Sequence, residues 1–302
     1  MARAAAWAIL LLTLPGATAA QTAAPQAPPT QVDEVVVTGV RTQSQVETFV
    51  DSITAPPPGR GPARWEARSG VCVGAVNFRS DIAQALIDRV SAVATEVGLR
   101  VGEPGCASNI TIIGASDAPA LAAALVAQSP NAFRPDYAGS AGSRAALDRF
   151  VSSNRPVRWW HVAMPVDAET GAVAVRLPGE EQAPYVRGEG LLRTNVRNDL
   201  RRAHIIVDIE RAAGVSLPQL ADYIALVALV QITPEPGPFG VPTILDLFDV
   251  SDPPGGLTDW DRSYLAALYD ADLRQRNPAS QAGEIADRML GKVQAGTEAP
   301  TD

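Results

Sequence analysis

The chain contains two histidines, His161 and His204, and two cysteines, Cys72 and Cys106, and that short inventory limits the chemistry within its reach. An imidazole beside a carboxylate such as Asp208 or Asp222 can move protons or hold a metal. No spacing fixes either histidine next to a nucleophile, so each reads first as a structural side chain with satisfied ring nitrogens. Neither a Gly-x-Ser-x-Gly nucleophile elbow nor a Gly-x-x-x-x-Gly-Lys phosphate loop is present. Gly188 and Gly190 are followed by Leu191, Leu192 and Arg193, so the third glycine of a dinucleotide fingerprint is missing. Asp246, Asp249 and Asp252 form an acidic run, but their spacing is not that of a calcium loop, and Pro253 follows at once. Two cysteines and two histidines do not suffice for a convincing structural zinc site. Arg193, Arg197 and Arg201 recur at four-residue intervals, with Arg202 beside them, and read as a solvated or carboxylate-paired face.

The elements that must position these groups are well punctuated. The most apolar stretch of the mature chain, 216–232, predicts a helix. Ser216 is its N-cap, Gln219 completes a capping box, and Pro218 falls in the first turn. No polar residue occurs from Ile224 to Val230, which predicts burial on every side. Upstream, the pattern reads as a β-α-β-α unit: a strand over 70–77, a helix over 81–97 capped by Ser80 and closed by Gly98, a strand over 109–114, and a helix capped by Asp117 and running to about Gln128. A short helix is expected near 143–152. In the strand over 156–166, Val157, Trp159, His161 and Ala163 share one face and Arg158, Trp160, Val162 and Met164 the other. A further strand spans 204–209. Thr258 caps a helix to about Tyr269, and a last helix covers about 278–293.

Net charge −8 over 302 residues speaks against nucleic acid or an anionic membrane as a partner, because both select clustered Lys and Arg. Residues 1–20 have the parts of a secretory signal: Arg3, an apolar run from Ala4 to Leu14, and small residues before a cleavage site after Ala19 or Ala20. The expected location is periplasmic or secreted, with no membrane span after cleavage. Cys72 and Cys106 are then expected to form a disulfide, with two separate buried thiols as the alternative. Residues 21–64 read as a flexible Pro-rich arm, 65–294 as a single α+β domain beginning near Trp65, and 295–302 as a disordered tail.

Within the arm, Asp33, Glu34, Val35, Val36, Val37 and Thr38 make a strand-like segment inside 32–41. This segment resembles the N-terminal stretch of TonB-dependent receptors, which implies docking by strand addition onto a TonB-like periplasmic partner. The alternatives are a strand of the protein's own fold or a tail.

A second resemblance covers roughly residues 65–276. It rests on Cys72 with Cys106-Ala-Ser-Asn-Ile110, on 201–208, on the 216–232 helix, on Pro242 to Phe248, and on Leu257 to Asp270. The arrangement resembles an uncharacterised secreted proteobacterial family with a zincin-like metallopeptidase layout. The resemblance implies an α+β, zincin-like fold: a mixed sheet, a central buried helix at 216–232, and C-terminal helices. In a zincin that helix carries His-Glu-x-x-His, two zinc ligands one turn apart and a general base. Here it contains neither His nor Glu. The expectation is an exported, non-catalytic binding or assembly protein of the cell envelope without a cofactor. The competing expectation is a peptidase-like hydrolase with an atypical site. Any surviving cleft should be bordered by Gln219, Asp222, Tyr223 and His204.

Overall fold

A computed structural model describes residues 32–54, 60–135, 142–175, 186, 190–232 and 237–298; the side chains of 32–41 and 296–298 lie outside the description. Residues 1–20, expected to be a secretory signal, lie outside the described residues, as do 299–302 of the expected tail; its first residues, 295–298, are not disordered but continue the last helix. The first element is helix α1 (Val32–Ile53). Strand β1 (Val73–Val76), helix α2 (Ser80–Glu96), strand β2 (Ile110–Ala115) and helix α3 (Ala118–Gln128) follow, then helix α4 (Arg144–Ser152). Strands β3 (Val157–Asp167) and β4 (Val196–Asp208) lead into helix α5 (Leu217–Leu229). A 3-10 turn at Ile244–Phe248 and helices α6 (Asp259–Asp270) and α7 (Pro278–Glu298) complete the order.

The strands form one mixed sheet in the order β1-β2-β4-β3. β1, β2 and β4 run parallel, while β3 pairs antiparallel with β4 on the edge. The expected α+β class and mixed sheet are both present. Alternation along β3 puts Val157, Trp159 and Ala163 in the main core, and Trp160 under α3 and α4 with Phe133, Phe150 and Ile206. Both faces of the sheet are thus covered. On the main-core side, α2 and α5 pack together next to the sheet. Helix α7 packs against both α1 and α6, and Phe49 of α1 meets Trp260 and Tyr264 of α6. Helix α5 is the middle layer, and every residue from Tyr223 to Val230 is at most 1% exposed.

Three expectations need correction. Residues 32–41 are not a strand: they open helix α1. The Val and Thr side chains are β-branched, but the helix runs on into Val46, Phe49, Val50 and Ile53, whose burial outweighs that weak local preference. The stretch after it is not a flexible arm either. Val46, Phe49, Val50 and Ile53 are buried, with Phe49 edge-on to Phe239, Trp260 and Tyr264. The packed core therefore starts well before Trp65. Finally, the arginines from 197 to 202 lie on β4, which begins at Val196 rather than at His204. Their four-residue spacing is not a helical face. Arg197 reaches Asp199 at 2.8 Å and Glu66 at 3.7 Å, and Arg193 pairs with Asp272, which fits the carboxylate-paired reading of those two.

Cys72 and Cys106 form a disulfide that closes a separation of 34 residues. Gly102 is required beside it, because a Cβ there would come within 2.6 Å of the Cys106 Sγ. The Asn109 side chain braces the same corner, accepting from the Cys72 N–H at 2.8 Å and donating to the Gly70 carbonyl at 3.2 Å.

Candidate functional site

The capping box at Ser216 and Gln219 forms as the sequence predicts. It aims α5 behind the sheet, and burying the far end of the helix raises a problem. The last four carbonyls of an α-helix have no partner inside the helix, and an unpaired buried carbonyl costs about 1–3 kcal/mol. In α5 these are Leu226, Val227, Ala228 and Leu229. All four are satisfied, three of them by side chains from other elements. The Val230 N–H donates to Leu226 O. His161 Nε2 lies 2.8 Å from Val227 O, Trp65 Nε1 donates to Ala228 O at 2.8 Å, and Tyr269 Oη donates to Leu229 O at 2.8 Å. Trp159 Nε1 adds a bond to Ile232 O just beyond, at 3.2 Å.

This arrangement assigns His161. A carbonyl only accepts, so Nε2 carries a proton. Burial drives its pKa down to about 4, against a smaller upward pull from the Val227 bond. An imidazole held as a neutral donor to a helix end is no metal ligand at that nitrogen. His204 points to the opposite face of the sheet, where it pairs in register with Trp160 and its ring lies 5.3 Å from Phe133. Burial, and then the charge of Arg202, lower its pKa, and its Nε2 is buried without a hydrogen-bond partner, against the expectation of satisfied ring nitrogens. The two histidines are separated by the sheet and form no common centre, and His204 does not border a cleft with α5.

The other three proposed cleft residues also part company. Gln219 donates through Nε2 to Pro254 O at 2.9 Å. Asp222 clamps three segments: it pairs with Arg89 of α2 and accepts the Leu257 N–H at 2.8 Å. Gly256 is needed there, since a Cβ would meet Asp222 Oδ2 at 2.4 Å. Arg89 continues to Glu96 at 3.8 Å, and Glu96 to Arg262 of α6 at 2.6 Å, so the ion-pair chain ties α5, α2 and α6 together. Tyr223 turns the other way, against Phe248 with ring centroids 5.1 Å apart, and Trp159 at 6.3 Å. Its hydroxyl is buried without a hydrogen bond of good geometry. Burial lifts its pKa to about 12, partly offset by the neighbouring Arg155 guanidinium.

Arg155 was not singled out by sequence reasoning, yet it shapes the surface above Tyr223. It holds Asp249 bidentately, at 3.0 Å and 2.5 Å. Burial works against its charge, but the Asp249 bonds and charge outweigh it and raise its pKa. Ser153, Asn154, Pro156, Phe248 and Asp249 surround it in an open depression. Asp246 accepts weakly from the Phe239 N–H at 3.3 Å, and burial raises its pKa. The acidic run is thus divided between an arginine partner and a turn. The only sequence sign of the Arg155–Asp249 pair is an arginine immediately before the Pro156 that starts a strand.

The motifs of the family resemblance have structural work in this chain. Asp261, the third residue of the Thr258 capping box, is fully buried. It accepts from Thr243 Oγ1 at 2.5 Å and from the Ile244 and Thr258 N–H groups at 2.9 Å. The stretches 242–248 and 257–270 are locked to each other through this one carboxyl group. Burial raises its pKa. Among the described residues, no group of three His, Cys, Asp or Glu side chains is placed to hold a metal ion. No family model, curated protein or solved structure matches the chain.

Proposed function

We propose that this chain is an exported, non-catalytic binding or assembly protein of the bacterial cell envelope, on a zincin-like scaffold in which packing takes the place of the metal site. The observation that carries the reading is α5. The helix that follows the last strand, where the resembling peptidase layout has its zinc ligands, is buried on all sides from Tyr223 to Val230. Its one carboxylate, Asp222, is engaged by Arg89 and the Leu257 amide. The nearest imidazole, His161, donates to the helix's own Val227 carbonyl. Export is supported by the signal-like N-terminus and by the disulfide, which belongs to an oxidising compartment. No helix among the described residues is long and apolar enough to cross a membrane.

The test is a cleavage assay of the purified mature protein on a mixture of peptides, with and without a chelator. The expected outcome is no cleavage above the protein-free blank in either condition. Chelator-sensitive cleavage that co-purifies with the protein sinks the reading.

A further inference from the structure

A second pocket lies far from α5, between the β3–β4 hairpin and the start of α7, with a volume of about 280 Å³. That is near the lower end of the ~300–1,000 Å³ typical of small-molecule sites. Its walls are Pro165, Ala174, Val175, Val196 and Pro278, and its polar groups come from Arg60, Arg276, Thr194, Asn198 and Gln281. Of its two arginines, Arg276 has a partner of its own, and no carboxylate occurs among the described lining residues.

Arg60 is the decisive group. It is partly buried and, among the described residues, has neither an ion pair nor a hydrogen bond. Burial without a counter-charge lowers its pKa. Withdrawing a cation from water is unfavourable unless an anion compensates. The backbone carrying it is fixed: Asn198 Nδ2 donates to Gly61 O at 3.0 Å, Gln231 Oε1 accepts the Ala63 N–H at 3.1 Å, and Arg64 O accepts the Leu200 N–H at 2.9 Å. Gly61 is pressed so closely on Gln281 Oε1 that a Cβ would come within 1.7 Å. Thr194 Oγ1 accepts the Val196 N–H at 3.1 Å, which leaves its own O–H able to donate. The first amides of α7 are capped by Asn277, so the helix contributes the positive end of its dipole rather than donors.

We propose that this pocket binds a small organic oxyanion, a carboxylate or phosphate group on a short apolar body, with Arg60 as its counter-ion. The guanidinium fork suits both oxyanions, the Thr194 hydroxyl supplies a neutral donor, and the Pro, Ala and Val walls take the apolar body. The proposal rests on the reading of the chain as a binding protein and names the chemistry of one ligand.

The experiment is calorimetric titration of the full mature protein at low salt with isobutyrate, succinate, methylphosphonate and inorganic phosphate. Arg60→Gln, Ala174→Leu and a remote control, Arg79→Gln, are titrated alongside, with thermal melting to confirm that each folds. The expected result is saturable one-site binding of at least one probe. Affinity should fall at least about tenfold in Arg60→Gln and in Ala174→Leu, whose larger side chain fills the pocket without changing charge, and stay unchanged in Arg79→Gln. Preference between the carboxylates and the phosphonate identifies the head group. No saturable binding to wild type, or equal affinity in wild type and Arg60→Gln, overturns the proposal. If that result comes with no peptide cleavage, the non-catalytic reading stands and only the oxyanion site falls.

Discussion

His161 shows how far residue types alone mislead. Its place on the Trp159 face of a strand was legible from alternation, and so was its structural character. Its partner was not, because the Val227 carbonyl is a backbone group 66 residues away and no side-chain pattern announces it. The same holds for Trp65 and Tyr269, whose donors meet the neighbouring carbonyls. Replacing His161 with Ala should lower unfolding free energy by about 2–3 kcal/mol at pH 7, and Tyr269 with Phe by about 1 kcal/mol, in urea denaturation. His161 also predicts a pH dependence. Its folded pKa of about 4 lies below the ordinary value of 6.5, so protons favour the unfolded chain. Its contribution is complete above pH ~6.5 and declines as pH falls toward ~4. Buried Asp246 and Asp261, with raised pKa values, act in the opposite sense, their contribution being lost as pH rises through their folded values. The comparison that isolates the imidazole is wild type against His161→Gln, whose amide can still donate but does not titrate. The wild-type advantage should shrink by about 2 kcal/mol between pH 7 and pH 4.5. A constant difference would remove the neutral-donor assignment.

At the level of elements, capping chemistry was the most readable signal. Ser216, Thr258 and Asp117 cap the helices their positions indicate, while Ser80 falls inside α2, whose N-cap is Arg79 with no side-chain cap bond. The errors came where local preference and packing disagree. The Val-rich start of α1 looks like a strand when taken alone. The helix becomes favourable because Val46, Phe49, Val50 and Ile53 reach an apolar surface built from residues beyond 200. A protein beginning at Trp65 should therefore expose that surface. It is expected to be aggregation-prone or to melt far below the full mature chain, whereas a dispensable arm would leave melting unchanged. Within α5, Leu226→Ala should cost about 3–5 kcal/mol, toward the upper end for a buried leucine with little freedom for its neighbours to collapse. Opening the disulfide by Cys72→Ser with Cys106→Ser should cost roughly 3–4 kcal/mol, the loop-closure expectation for 34 residues, read as a lower denaturation midpoint.

Across the whole molecule, the sheet is covered on both faces and the side chains that look reactive in sequence are distributed among structural tasks. His161 satisfies a helix end, Asp222 joins α5 to α2 and the loop before α6, and Asp261 locks the turn at Thr243 to α6. Arg60 stands apart from these in having no partner among the described residues. Class, sheet alternation and the buried helix could be read from periodicity. The oxyanion pocket could not, because it joins residues 60, 165, 174, 194, 198, 276 and 281, which only the folded chain brings together. Our proposal that packing around α5 stands where a peptidase layout would hold a metal can be tested directly. The direct measurement is native mass spectrometry of the protein exported from cells and purified without chelators. The expected result is the metal-free mass of the mature chain with one disulfide, unchanged after zinc is added and the excess removed. A stoichiometric zinc adduct that a chelator strips would contradict it.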